Sequence, residues 1–480
     1  MRLYNSLTKQ IEVFEPLDGD APRIYSCGPT VYDRVHIGNL SAFIVADTLR
    51  RTLLHIYPHT RQVMNLTDVD DKTIKKAATE HNDLPPNEAL KATTEHYADI
   101  FFDDMKAVGN DIKAIEFVRA TDAQTITDMQ ELIAKLYADG FAYMANDGVY
   151  FSIDAYRKSG KTYGQLTSIT ADSTANARIQ NDEYDKESVH DFALWKTARD
   201  GEPSWEFTLD GHDMRGRPGW HIECSAMSVR GLGLPFDIHT GGIDLKFPHH
   251  ENEIAQSTAG QANPTYAKWF VHNDHILVDG RKMAKSEGNF YTLTDLSKQK
   301  LDPIAFRMLV LQSHYRNPTN FSFDNATAAA NRLSNWRSIA ALRHQTHDTL
   351  QDDSDKSTDD RAANLLASKQ ALVETMTNDL DTPTALSTID HAFDRLSSAN
   401  PDKIHRRSLV QLLEVIDELL GLDLIGSTPD ISDDTKQLLV ARQRARDAKD
   451  WQASDEARDQ LAEQGIGVRD TSQGSIWFYL

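Results

Sequence analysis

Apolar residues recur along this chain with two periods, and the alternation between them predicts an α/β fold followed by helices. Arg23–Ser26 is a short apolar strand that runs into a Gly-Pro-Thr turn beside Cys27. Residues 42–49 carry apolar side chains at helical spacing, within a helix predicted over 41–54, and His36-Ile37-Gly38-Asn39 stands at its opening. A second strand over 62–66 completes a β-α-β unit preceded by a hairpin, which implies a parallel sheet with right-handed connections. Ligands of open α/β sheets bind beyond the C-terminal strand ends, so Thr67 and Cys27 share one rim.

From about 116 to 200 the pattern changes. An amphipathic helix over 122–137 stops at Gly140, β-like pieces such as 149–151 follow, and the polar run 181–190 leads into the compact segment DFALWK; together these read as an insertion. The α/β pattern resumes at about 201, with a helix-compatible run from His221, a strand over 236–239, a loop at Thr240-Gly241-Gly242, and a helix opened by Pro248. Residues 261–325 hold a loop, 279–289, rich in Lys and Gly. Beyond it, stripes formed by Leu333, Trp336 and Ala340, by Leu365, Leu372 and Met376, and by Leu409, Leu412, Leu413, Ile416 and Leu420 predict a helical bundle. The run 351–360 reads as a solvated loop. The last 45 or so residues pair a basic helix bearing Arg442, Arg446 and Lys449 with a β-like tail, 465–480. On spacing alone that basic face is a solvated one.

Charge narrows the partners. With 51 Lys and Arg against 72 Asp and Glu the formal net charge is −21, which opposes non-specific attachment to nucleic acid or anionic membrane, so a nucleic-acid partner must meet a local basic face. No stretch approaches the roughly 20 consecutive apolar residues of a membrane span, and the opening MRLYNSLTKQIEVFE lacks the apolar core of a signal peptide. A cytoplasmic protein with no membrane partner is expected. In a reducing compartment the two cysteines, Cys27 and Cys224, are expected not to form a structural disulfide, leaving two buried thiols or two members of one reactive or metal site.

Three motifs fit one task, holding ATP for attack at its α-phosphate. A helix N-terminus presents unpaired N–H groups and partial positive charge, which suits the opening of the 36–39 helix to phosphate. His36 is suited to donate to phosphate oxygens, Asp244 to accept from ribose hydroxyls, and Lys282 and Lys285, on a loop between Gly280 and Gly288, to neutralise departing pyrophosphate. A fourth signal is a metal site. His249 and Glu253 are four apart on one predicted helix and project side by side, while Cys27 and Cys224 approach from the same rim. Two thiolates, an imidazole and a carboxylate form a donor set that zinc accepts, and His250, Glu251 and His239 compete for the same roles.

These motifs resemble the cysteinyl-tRNA synthetase family, class I aminoacyl-tRNA synthetases, over essentially the whole chain: LYNSLTK, CGPTVYD, HIGN, NLTDVDDK, HDFALWK, RPGWHIECSAM, FPHHENEIAQS, KMAKSEGN and RDAKDWQASDEARDQL occur in family order. The resemblance implies zinc held by Cys27, Cys224, His249 and Glu253. It implies a cysteine pocket lined by Gly28, Thr30, Thr67 and Trp220, ATP contacts from His36, Asn39, Gly241, Asp244 and Lys285, and catalytic roles for His36, Asn39, Lys282 and Lys285. Arg442, Arg446 and Lys449 then read as tRNA contacts.

The fold implied is a Rossmann-type parallel-sheet catalytic domain, 1–115 and 201–260, split by a connective insertion, 116–200. A stem-contact segment with the signature loop, 261–325, a helical anticodon-binding bundle, 326–430, and a small C-terminal α/β anticodon-binding domain, 431–480, follow. The activity implied is attack of the cysteine carboxylate on ATP, assisted by Mg²⁺, to give cysteinyl adenylate, then transfer to the terminal adenosine of tRNA(Cys). Rival readings are a tRNA-independent cysteine ligase on the same catalytic fold and a non-catalytic tRNA-binding module. Three positions depart from the family pattern: Asn39 ends the HIGN motif in place of His, Ala284 replaces the usual Ser, and Thr240 stands where Gly is frequent.

Overall fold

The computed structural model describes residues 1–167, 191–262, 265–283, 287–345, 360–397, 404–471 and 474–480, without the side chains of 360–363 and 474. The polar run 181–190, the acidic run 351–360 apart from the backbone of its last residue, and Ala284, Lys285 and Ser286 therefore lie outside the described residues. The chain divides into two compact units, one formed by Met1–Asp295 with Tyr315–Thr319 and the other by Leu296–His314 with Asn320–Leu480.

The first unit is built on a five-stranded sheet in the order Ala267–Asn273, Phe236–Gly242, Arg23–Ser26, Arg61–Leu66, Ile115–Arg119, every neighbouring pair parallel. Its central strands are apolar on successive positions because both faces are covered: Ile24, Tyr25, Val63, Met64 and Ile238 are all fully buried. The sheet runs past two boundaries expected from the sequence. Ile115–Arg119 straddles the first, and Ala267–Asn273, assigned above to a stem-contact segment, is an edge strand of the sheet. Thr240-Gly241-Gly242 is likewise strand and not loop, because Gly241 and Gly242 pair with His272 and Asn273. A Cβ at Gly241 would lie 2.8 Å from Leu245 Cδ1 and 3.0 Å from His250 Cε1, so a side chain there would collide with the next helix.

The helix after the first strand spans Ile37–Ile56 and opens earlier than the apolar periodicity predicts. His36 is the reason. Its Nδ1 accepts from the backbone N–H groups of Gly38 at 3.0 Å and Asn39 at 3.3 Å, an imidazole performing the usual work of a Ser or Asp cap. The insertion carries the expected helix, Ala123–Ala138, and three strands of an antiparallel sheet ordered Gly216–Pro218, Asp191–Thr197, Gly148–Ser152, Ala142–Ala145, whose edge strand Gly216–Pro218 lies beyond the boundary expected at 200; Trp195, Phe151 and Ile133 are in its core.

In the second unit the predicted stripes are buried. Leu333, Trp336 and Ala340 face inward from Phe323–Ala340, Leu372 and Met376 from Asp360–Met376, and Leu409, Leu412, Leu413 and Ile416 from Arg406–Leu420. Gly421 ends the last of these in the left-handed region, φ 63°. Helices Asp433–Asp447 and Trp451–Glu463 and an antiparallel hairpin, Ile466–Thr471 with Gly474–Tyr479, close the chain around Leu461, Ile466 and Trp477. Among the described residues no helix is long and apolar enough to cross a membrane.

Candidate metal and nucleotide site

Parallel pairing carries Cys27 to the rim: it follows the central strand, and its N–H donates to the Thr240 carbonyl at 3.1 Å. Helices Trp220–Leu232 and His249–Thr258 bring Cys224, His249 and Glu253 to the same point. One donor atom from each of these four residues lies within 4.8 Å of all the others. Ligands held tetrahedrally at about 2.0–2.3 Å from a zinc ion stand roughly 3.3–3.8 Å apart, so only small adjustments separate this arrangement from a closed site, and its S, S, N, O composition suits that ion. A second set, Cys27, His239, His250 and Glu253, meets the same distance limit. The third competitor, Glu251, is turned away, its carboxylate accepting from the backbone N–H groups of Gly164, at 2.9 Å, and Leu166.

Surrounding groups orient the four donors. Glu253 uses its oxygens in two directions: Oε2 accepts from His239 Nε2 at 2.8 Å and from the Tyr266 hydroxyl at 2.7 Å, while Oε1 faces His249 Nε2 at 3.0 Å and Cys27 Sγ at 3.9 Å. His249 is fixed by His221, Nδ1 to Nδ1 at 2.8 Å, and by Trp220, whose ring stacks on it with centroids 4.1 Å apart. Such outer contacts set the orientation of metal ligands. Tyr266 and His221 were not visible as site residues in the sequence, because neither stands at a fixed spacing from the residue it contacts here, Glu253 and His249 respectively.

Burial dominates the electrostatics. It raises the Cys27 thiol well above its ordinary range, with Cys224 adding to the effect, and it raises Cys224 as well. It lowers His249 to about 3, so the imidazole is neutral and able to bind metal at pH 7. Burial also pushes Glu253 upward, but His239, His249 and Tyr266 outweigh it and the net shift is down. Close by, burial together with Asp68 and Asp70 holds the Glu223 carboxyl well above the usual carboxylate range.

Gly28, Thr30 and Thr67 sit at the ends of adjacent strands. Thr30 and Thr67 form an isolated parallel bridge, and Gly28 N–H donates to Asn65 Oδ1 at 2.7 Å. A Cβ on Gly28 would stand 1.8 Å from the Asn65 carbonyl oxygen. Trp220, the first residue of its helix, reaches the same neighbourhood through its stack on His249.

Two of the three nucleotide motifs, the start of the helix Ile37–Ile56 and the flanks of the signature loop, come together. His36 packs edge-on against Phe290 at 4.8 Å, Ile37 N–H donates to the Tyr291 carbonyl at 2.9 Å, and a Cβ on Gly38 would lie 2.6 Å from Met283 Cε. Residues flanking the signature loop thus rest directly on the helix start. Because Nδ1 of His36 accepts from backbone, a neutral ring carries its proton on Nε2. Lys282 is exposed in a short strand whose carbonyl accepts from Asn289 Nδ2 at 3.0 Å; Asn39 and Asp244 are exposed, and Lys285 lies outside the described residues.

The expected basic face needs correction. Arg442 is 2 % exposed and bidentate on Asp470 at 2.8 and 2.7 Å, and Arg446 reaches the same carboxylate at 2.9 Å. Lys449 lies past the helix end with φ 60°, so the helical spacing that grouped the three does not extend to it, and it is exposed. Arg442 is an internal strut between helix and hairpin rather than a surface contact.

Comparison with known proteins agrees with this geometry. The family described as tRNA synthetases class I (C) catalytic domain matches residues 13–331, and the Cysteinyl-tRNA ligase anticodon binding domain matches 428–477. Relatives include the cysteine–tRNA ligases of Leptospira interrogans serovar copenhageni, 39 % identical over 99 % of both chains, and of Brachyspira hyodysenteriae, 38 % identical over 99 % of this chain and 98 % of that one. Among solved structures, Mycobacterium tuberculosis methionyl-tRNA synthetase bound by methionyl-adenylate is similar with a TM-score of 0.61 and 15 % identity, covering 84 % of this chain and 93 % of that one. Agrobacterium radiobacter K84 leucyl-tRNA synthetase, in a ternary complex, is similar with a TM-score of 0.62 and 12 % identity, covering 87 % and 86 %. At such identities these two likenesses speak for the fold.

Proposed function

We propose a division of labour within this site from the premise that the chain belongs to the cysteine–tRNA ligase family of class I tRNA synthetases. It is an ATP-dependent ligase that joins cysteine to tRNA, and the residues below are our reading of how it does so.

Cys27, Cys224, His249 and Glu253 hold one zinc ion, in preference to the set with His239 and His250. Two sulfur donors favour zinc, and His239 is already engaged in holding the outer oxygen of Glu253. The ion supplies a Lewis acid that favours a thiol over a hydroxyl, the distinction between cysteine and serine. Gly28, Thr30, Thr67 and Trp220 surround the amino acid. Its carboxylate, ionised at pH 7, attacks the α-phosphate without a protein base. His36 Nε2–H and the N–H groups at the helix start stabilise the phosphate charge, with Asn39, Gly241 and Asp244 around the nucleotide and Mg²⁺ accompanying ATP. Lys282 and Lys285 balance the departing pyrophosphate. A ribose hydroxyl of the terminal adenosine of tRNA(Cys) then attacks the carbonyl of the adenylate, taking the cysteinyl group as an ester and releasing AMP. Outside the active site, Lys449 and Arg446 are the members of the basic trio that we retain as tRNA contacts. Its partner being tRNA, the enzyme is expected to work in the cytoplasm.

The observation that carries this reading is the convergence of four ligand atoms at the C-terminal rim of the sheet, one short loop away from the His36-capped helix. The rival tRNA-independent ligase is disfavoured by the anticodon-domain match over 428–477. Cysteine-dependent ATP–pyrophosphate exchange, followed by transfer to tRNA(Cys) and by metal analysis of the same sample, tests it. Exchange and transfer with no bound zinc would sink the metal assignment, and exchange without transfer would favour the rival.

A further inference from the structure

We propose that Glu223 receives the α-ammonium group of the substrate amino acid, an inference that rests on the reading of Gly28, Thr30, Thr67 and Trp220 as the amino-acid pocket. Glu223 is fully buried on the helix Trp220–Leu232, immediately before Cys224, whose sulfur faces the metal cluster. Neither of its carboxyl oxygens makes a hydrogen bond with any described residue. The hydroxyl of Thr67 lies beside it without reaching hydrogen-bond geometry.

Partner accounting at this strand end makes Glu223 the exception. Asp68 accepts from Thr121 N–H at 2.9 Å and the Thr121 hydroxyl at 2.7 Å, and Arg119 stands 3.5 Å away. Asp70 caps the helix Asp71–Glu80, accepting from Thr73 N–H at 2.7 Å. Asp71 pairs with Arg217, whose positive charge also favours the Glu223 carboxylate, while Asp68 and Asp70 act on it with like sign. A fully buried acid beside two further carboxylates, with only the Thr67 hydroxyl and the Arg217 charge to favour its ionised form and neither completing a hydrogen bond to it, is a poor choice for a purely structural side chain. It suits a ligand that brings a cation with three N–H donors.

An α-amino acid is such a ligand. Held by its sulfur near Cys224 and by its ammonium at the neighbouring residue, it has two fixed points, and its carboxylate is left to project toward the phosphate side of the 27–39 loop. Two-point attachment orients a nucleophile far better than one. It also adds a requirement that the thiol pocket cannot impose, namely that the thiol belong to an α-amino acid.

The test pairs cysteine with 3-mercaptopropionate, which keeps thiol and carboxylate and lacks the amine. In Glu223→Gln, of nearly the same volume, the KM for cysteine in pyrophosphate exchange should rise about 10- to 100-fold, the range for a lost charge-assisted hydrogen bond. The inhibition constant of 3-mercaptopropionate, the KM for ATP and the zinc content should each stay within twofold. A cysteine KM that does not move, or one that rises together with the 3-mercaptopropionate constant, overturns the proposal. If the variant does not fold, wild-type enzyme decides: 3-mercaptopropionate should bind at least tenfold more weakly than cysteine, and equal binding overturns it. Propionate separates this from failure of the thiol pocket itself, since wild-type enzyme inhibited equally by propionate and 3-mercaptopropionate would refute the pocket reading and leave the amine comparison standing.

Discussion

Replacing Tyr266 by Phe removes one oxygen from the protein and should weaken its hold on metal. The Tyr266 hydroxyl donates to Glu253 Oε2 at 2.7 Å, one of two donors fixing that oxygen, with Ser228 Oγ at 2.7 Å on its other side. Phe preserves the ring and its edge contact with Phe236 at 5.0 Å, so packing survives and one charge-assisted hydrogen bond is lost, worth about 1.5–3 kcal/mol. Outer-layer substitutions of this kind lower metal affinity about 10- to 100-fold, a comparable energy. His239 alone then holds Oε2, leaving Oε1 free to swing away from His249 and Cys27. Burial raises Glu253 and its donors bring it net below its ordinary value, so the ionised ligand is present above that lowered pKa and lost as pH falls through it. Removing a donor raises the pKa, and the variant should lose metal at a higher pH than wild type. Competition with a chromogenic chelator from about pH 3 to about pH 7, a range that spans the ordinary carboxylate value, measures both quantities. Affinity within twofold of wild type, with the same pH profile, would refute the role assigned to Tyr266.

Four other outcomes are expected. Cys224→Ser should lower bound zinc and raise the KM for cysteine more than that for ATP in pyrophosphate exchange; equal effects would count against the metal as selector. Gly28→Ala places a Cβ 1.8 Å from the Asn65 carbonyl oxygen, so the strand end must move, at a cost of about 1–3 kcal/mol in urea unfolding and more than tenfold in exchange rate. Arg442→Ala should destabilise the second unit by about 2 kcal/mol in calorimetry, whereas Lys449→Ala should leave stability alone and shallow the salt dependence of tRNA binding by roughly one phosphate contact. Arg442, then Ser475 and Arg446, hold Asp470 far below the ordinary carboxylate value; the stability this pair contributes is complete above about pH 4 and declines as pH falls further, which denaturation followed at Trp477 should register.

How far the chain could be read beforehand depended on whether a feature is local. Helical stripes such as Leu409, Leu412 and Ile416 were legible because their period is a property of one segment. Among the candidate ligands, Cys27 and Cys224 stood out because Cys is scarce, whereas the four-residue spacing that puts His249 and Glu253 side by side left His250, Glu251 and His239 in competition, and the family resemblance made the choice. Pairing is not local, and there the reading faltered. Thr240-Gly241-Gly242 has loop composition, yet its glycines leave room for Leu245 and His250 while it pairs with a strand from beyond residue 260. Tyr266 precedes that strand and meets Glu253 only once the sheet has formed. Arg442 looked like a surface charge because its partner, Asp470, lies 28 residues on in the closing hairpin.

The two directions of Glu253 also bear on how the protein comes into being. Cys27 and Glu253 are 226 residues apart, and Phe236–Gly242, the strand that pairs with one edge of Arg23–Ser26, is also late in the chain. At a synthesis rate of roughly 5–20 residues per second, Cys27 leaves the ribosome about 11–45 s before its ligand partner. During that interval the first three strands of the five-stranded sheet can pair, but one edge of Arg23–Ser26 has no neighbour and Cys27 lacks the three side chains that later gather around it. Each round of synthesis therefore passes through a half-built sheet with an open edge, and the four-donor cluster closes only once the helix His249–Thr258 has docked.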